Sequence, residues 1–248
     1  MPQLPRQEPG FNEGTDGSAV LRDLVRAAGW TPPHRDREET YVTAAVVEDE
    51  EDDDSRDYVA GCPLTPQLVQ EIVGLAELDW EDWEAADAAM RRLGWRDDES
   101  PLEASFVTGV GHLVFGGDGC FYMPFAHAYC LGCDFHGTED FRGDFPGWSS
   151  QADAGRDVLD AHVNAAVDRF AERLGPPHRD GSKQKLGNET GEYLWRFAAW
   201  RIGGNLLVVG QGLDALSYYQ DEHALVCMGP LSPDAPIPDI DGLADFVC

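Results

Sequence analysis

The chain has 248 residues, with 18 Lys and Arg against 46 Asp and Glu and a formal net charge of −28. A surface this acidic repels phosphate backbones and anionic lipid headgroups, which excludes direct nucleic-acid binding and electrostatic membrane docking as primary functions. With 42% hydrophobic residues and seven Trp, the chain has material for a core and is not an acidic disordered tail.

Residues 1–17 are polar and bear Gly and Pro, with no apolar stretch of the signal-peptide kind, and are expected to be disordered. No apolar run reaches the roughly 20 residues that span a bilayer, so a cytoplasmic protein is expected. The six cysteines are too sparse for a disulfide scaffold and are expected to be reduced. Residues 18–64 read as an N-terminal extension. Val20, Leu21, Leu24, Val25 and Ala28 form one helical face stopped by Gly29, residues 41–47 have β character, and residues 48–54 are an unbroken acidic loop.

Thr65-Pro66 forms an N-cap and first helical position, followed by Leu68, Val69, Ile72, Val73 and Ala76 at helical spacing. Asp79 is the expected cap of the next helix, on which Trp80, Trp83, Ala86, Met90 and Leu93 recur before Gly94. Residues 104–135 read as sheet, with a turn at Gly116-Gly117-Asp118-Gly119. Residues 156–174 predict a long helix ended by Gly175-Pro176-Pro177. A hairpin about Arg201-Ile202-Gly203-Gly204 and a strand over 224–228 complete the second half. Residues 231–248 carry three prolines and are expected to form an extended strap.

Pro32-Pro33-His34-Arg35-Asp36 recurs as Pro176-Pro177-His178-Arg179-Asp180, each time between a helix and a strand. The expected fold is therefore α+β, with two similar helix-plus-antiparallel-sheet units at 65–146 and 147–230 and the N-terminal helix/strand extension.

Two groups of residues invite a function. Trp80, Trp83 and Trp95 stand beside Glu84, Asp87, Asp97 and Asp98, combining aromatic anchors with carboxylates as protein interfaces do, and Glu51, Asp52 and Asp53 of the acidic loop would add a docking segment. His127-x-x-Cys130-x-x-Cys133-x-x-His136 offers zinc-type ligands. Residues three apart on a strand face opposite ways, however, and the compact spacing is unlike a zinc ribbon. No nucleophile elbow or phosphate-binding loop is present, so the expectation is a non-catalytic binding module without a cofactor. A zinc-stabilised domain or metal-dependent enzyme on the His/Cys cluster, and a regulatory protein docking through the loop, are the alternatives.

In the second half, Leu174-Gly175-Pro176-Pro177 is followed by Tyr193-Leu194-Trp195-Arg196-Phe197 and Trp200. Leu206-Leu207-Val208-Val209-Gly210-Gln211-Gly212 and Met228-Gly229-Pro230 then complete a pattern that resembles small acidic α/β immunity proteins of polymorphic toxin systems. The resemblance covers about residues 150–230 and carries no catalytic residue. It implies a protein that neutralises a basic partner, such as a toxin domain, by covering its active face.

Overall fold

Thr65 ends the preceding extended chain and accepts a hydrogen bond from the Leu68 amide at 3.2 Å, while Pro66 contributes a preset φ where no amide is needed. The helix that follows, α1 (Pro66–Ala76), buries Leu68, Val69, Ile72, Val73 and Leu75. These elements belong to a computed structural model that describes residues 56–80, 82–98, 104–117, 120–131, 143, 145–184, 193–214, 217 and 221–247. All of them lie in the compact unit that begins at Glu51. The expected helix over 20–28, the strand over 41–47 and the acidic loop with Glu51, Asp52 and Asp53 fall outside the described residues.

The next helix, α2 (Trp83–Arg92), is capped by Asp82, whose side chain accepts from the Ala85 amide at 3.1 Å. Asp79, the expected cap, lies one turn too early. Trp80 turns back into the core and donates its indole N–H to the Leu75 carbonyl at 2.9 Å, which holds residues 77–80 outside either helix. The third helix, α3 (Arg156–Leu174), buries Leu159, Val163, Ala166, Val167 and Phe170 and stops at Gly175, whose φ of +83° suits glycine alone.

The strands are β1 (Arg56–Gly61), β2 (Arg96–Asp97), β3 (Phe106–Val107), β4 (Leu113–Gly117), β5 (Cys120–Leu131), β6 (Ser149–Ala152), β7 (Arg179–Gln184), β8 (Leu194–Ile202), β9 (Asn205–Leu213) and β10 (Glu222–Pro230). They form one antiparallel sheet in the order β2-β3-β4-β5-β10-β9-β8-β7, with β1 pairing the far end of β5 and β6 pairing β1. The fold is α+β. Each half of the order is a four-strand meander, and the halves meet at the β5–β10 seam. They match in order and differ in size: β2 and β3 have two residues each, against six and nine in β7 and β8.

The sheet has two differently covered faces. Helices α1, α2 and α3 pack on one, over Phe121, Met123, Phe125, Trp200, Leu207, Val209, Val226 and Met228. The last helix, α4 (Ile240–Val247), sets Leu243, Ala244 and Val247 on the other, over Trp195, Phe197, Val208 and Leu225. The expected strap is thus corrected at its end: residues 232–235 are held by Arg201 through the carbonyls of Ser232, Pro233 and Ala235, and the chain then becomes helical. Three prolines obscure a short amphipathic segment that begins after the last of them, Pro238. No helix among the described residues is long and apolar enough to cross a membrane.

One buried polar contact ties the helical layer to the sheet. Asn205, at the start of β9, donates its side-chain amide to the carbonyls of Ala76 at 2.9 Å and Leu78 at 2.6 Å, satisfying acceptors beyond the last turn of α1. Asn205→Leu leaves both carbonyls dry and unpaired, at about 1–3 kcal/mol each. The expected loss is about 2–4 kcal/mol in denaturant unfolding, whereas Asn164→Ala on the exposed side of α3 stays within about 1 kcal/mol.

Candidate metal centre

The seam between β5 and β10 is interrupted once. Leu225 pairs with Pro124 and Ala224 with Ala126, so Phe125 is an extra residue on β5. Proline has no amide to give the ladder, and a bulge is where a strand accommodates it. The consequence is a change of parity. Before the bulge, Phe121 and Met123 face the helices while Tyr122 faces away; after it, Phe125 and Ala126 both face the helices and His127 faces away. His127 therefore joins His223, its direct partner on β10, on the far face. Their outer neighbours are Ala60 on β1 and Gly212 on β9, so two imidazoles stand side by side between two residues with almost no side chain. A Cβ at Gly212 would already touch His223 at 3.5 Å and Val247 at 3.6 Å.

Asp214, just past β9 and on the same face as Gly212, completes the group. Its carboxylate lies 3.6 Å from His127 Nδ1 and 3.9 Å from His223 Nδ1. The candidate ligand atoms of the three residues all fall within 4.8 Å of one another, and the residues are 6%, 6% and 3% exposed for His127, His223 and Asp214. Trp148 stacks obliquely on His127 with ring centres 5.4 Å apart. The histidine–carboxylate distances exceed hydrogen-bond length. A tetrahedral ion at about 2.0–2.1 Å from each ligand sets ligand atoms about 3.3–3.4 Å apart, so side-chain adjustments of about half an ångström close the two histidine–carboxylate gaps. Two imidazoles and one carboxylate are the donor set of divalent transition metals that keep an open coordination side.

Asp214 and His223 also line a pocket of about 270 Å³, with Tyr122, Cys227, Leu213 and Val247 among its walls. Burial, then the nearby Asp214 carboxylate and Cys227, push the Tyr122 hydroxyl above its ordinary range and keep it a proton donor.

Of the described residues singled out from sequence, His127 alone enters this site. Cys130 lies on the opposite face of β5 and is held in a disulfide, so its thiolate is not free to bind a metal, and the expectation of reduced cysteines fails at this position. Cys133 and His136 fall outside the described residues. The proposed aromatic anchors are corrected as well: Trp80 and Trp95 are buried, and Trp83 packs against the same core, its indole filling the space where Gly116 lacks a Cβ. Trp95 donates to Glu71 at 3.1 Å. Of the neighbouring acids, Asp87 and Asp97 share Arg91, Asp98 accepts from the Ala104 amide, and Glu84 is exposed.

Sequence reasoning misses His223 and Asp214. The signal lies in extending the 224–228 alternation back by one residue and pairing it against 120–127, a step that needs the bulge.

A second Cys–His pair sits nearby and does not form a nucleophile. Cys62 Sγ lies 3.7 Å from His112 Nδ1, but burial pushes the thiol up to about 12 and the imidazole down to about 4, leaving both neutral at physiological pH. His112 is structural: its Nε2 meets the Cys62 carbonyl at 3.0 Å, and Thr108 binds its amide and ring.

No protein-family model, curated protein or solved structure matches the chain.

The depressed pKa of His112 sets a pH dependence. The folded value of about 4 lies below the unfolded value of about 6.5, so the stabilisation is complete above pH 6.5 and is lost as pH falls toward 4. The full effect is about 3 kcal/mol. Unfolding midpoints measured between pH 7.5 and 4.5 should fall less steeply in His112→Gln than in the parent protein, since only the parent must protonate this buried ring.

Proposed function

We propose that the unit beginning at Glu51 is a metal-binding domain in which His127, Asp214 and His223 hold one divalent transition ion. The observation that carries this reading is the convergence of these three buried side chains, from three strands or strand ends, beside a pocket that two of them line. Bound there, the ion supplies Lewis acidity and an open coordination side. Asp214 neutralises part of its charge, Trp148 shields the His127 side, and the β5–β10 ladder fixes the spacing of the two imidazoles. The ligands follow the zinc and ferrous-iron preference for imidazole and carboxylate, which differs from the thiolate set that the Cys130 and Cys133 spacing suggests.

Elemental analysis of purified protein should return close to one zinc, iron or comparable ion per chain. Asp214→Asn and His223→Ala should lower that occupancy at least tenfold, while His136→Ala should leave it unchanged. Full occupancy in His223→Ala would rule this assignment out.

A second reading has its own observation, the net charge of −28, which favours a cationic protein partner and fits the resemblance to immunity proteins. With the tryptophans in the core, this reading rests on exposed carboxylates such as Glu84 and Asp97 rather than on aromatic anchors. Glu84→Lys together with Asp97→Lys should weaken capture of a basic toxin domain at low salt and change little at high salt; equal capture at both salt levels argues against it.

A further inference from the structure

The pocket beside the candidate ligands is elongated along the seam. Its walls run along β10 from His223 to Cys227, four residue steps or about 13 Å. At one end lie His223 and Asp214; toward the other lies exposed Cys120. Between them lie the apolar side chains of Leu213, Phe246 and Val247, with the Tyr122 hydroxyl and the Cys227 thiol as polar groups. The volume of about 270 Å³ falls just below the range of drug-sized sites and suits a small molecule.

The charge at the inner end decides the head group. A divalent ion with one carboxylate and two neutral imidazoles leaves a net charge of +1, buried where water is scarce, so a single anionic oxygen donor balances it and an ammonium group is repelled. The row beneath the pocket is also bare for a definite reason. Gly212 sits opposite His223 and lacks a Cβ, so His223 and Val247 close in over it and, among the described residues, the pocket lies beside them.

We infer that this slot binds short linear carboxylates, with the carboxylate at the metal between Asp214 and His223 and the alkyl chain lying along β10 toward Cys120. The inference rests on the metal reading of His127, Asp214 and His223. The Tyr122 hydroxyl donates to the bound carboxylate, and Val247 packs on the chain. Branched or bulky acids do not follow the narrow course between the strand and α4.

Cobalt(II)-loaded protein provides a test whose readout is spectroscopic. Titration with acetate, butyrate and hexanoate should shift the visible cobalt bands saturably, and hexylamine should not. Each buried methylene should tighten binding about fourfold, so affinity should rise by about two orders of magnitude from acetate to hexanoate. Val247→Phe should flatten that series by occupying the tail region. Tyr122→Phe should weaken all three acids about tenfold, and it serves alone if Val247→Phe does not fold. Cobalt bands that form normally but respond equally to all three acids, or to none, overturn the slot while leaving the metal site standing. Failure to take up cobalt overturns both.

Discussion

A single inserted residue at the β5–β10 seam governs what the far face of the sheet can do. Strand parity has a period of two, so one extra residue exchanges inside for outside along everything that follows. Without Phe125 as the bulge residue, alternation from Tyr122 would send His127 into the helix-covered core, where the imidazole would displace apolar packing. With it, Phe125 and Ala126 both serve that core and His127 stands beside His223. Pro124 stands at the irregularity opposite Leu225, and it has no amide to give the ladder there. The bulge therefore links core packing to site assembly, and neither can be altered alone.

The two faces of the sheet divide the work. Three helices and a continuous set of large side chains close the first, and the Asn205 contact locks that layer to β9. The other is covered piecewise, by α4 over β7, β8 and β9 and by Trp148 near His127. Small residues separate these covers: Ala60 and Gly212 flank the histidine pair, and Gly210 leaves room for Val247, where a Cβ would sit 3.1 Å from the valine. A cavity survives because the strands beneath it are β-branched and aromatic elsewhere but nearly bare at this row.

Local signals make much of the helical layer readable. Thr65-Pro66, the 3.6-residue spacing in 156–174, and the glycines after α2 and α3 each act within a few residues, so α1, α3 and the β8–β9 hairpin can be placed from pattern and turn chemistry. What escapes depends on distant partners. β1 is held by the far end of β5, and a helix as short as α4 is fixed by the hydrophobic patch it covers. The candidate site fails to show for the same reason. Proximity in sequence groups His127 with Cys130, Cys133 and His136, whereas the ladder groups it with residues from the other half of the chain. The tryptophans mislead in the opposite way: a Trp-rich amphipathic segment serves core or interface equally well, and only packing against Phe121 decides for Trp80 and Trp95.

Charge remains the feature that the fold does not use up. With 18 basic residues against 46 acidic ones, cations are scarce, and four of the described arginines tie elements of the structure together. Arg91 joins α2 to Asp97, Arg156 joins α3 to Glu222, Arg196 bridges Asp180 and Asn164, and Arg201 fixes the carbonyls before α4. Each arginine so engaged has little left to offset the remaining carboxylates, so the excess stays on the surface, where it resists compaction and draws cations. At the buried triad, the same attraction gives a divalent ion a favourable approach through an acidic exterior. The proposed carboxylate ligand would cross that exterior against repulsion, so its affinity would have to come from the proposed ion and the apolar lining once inside.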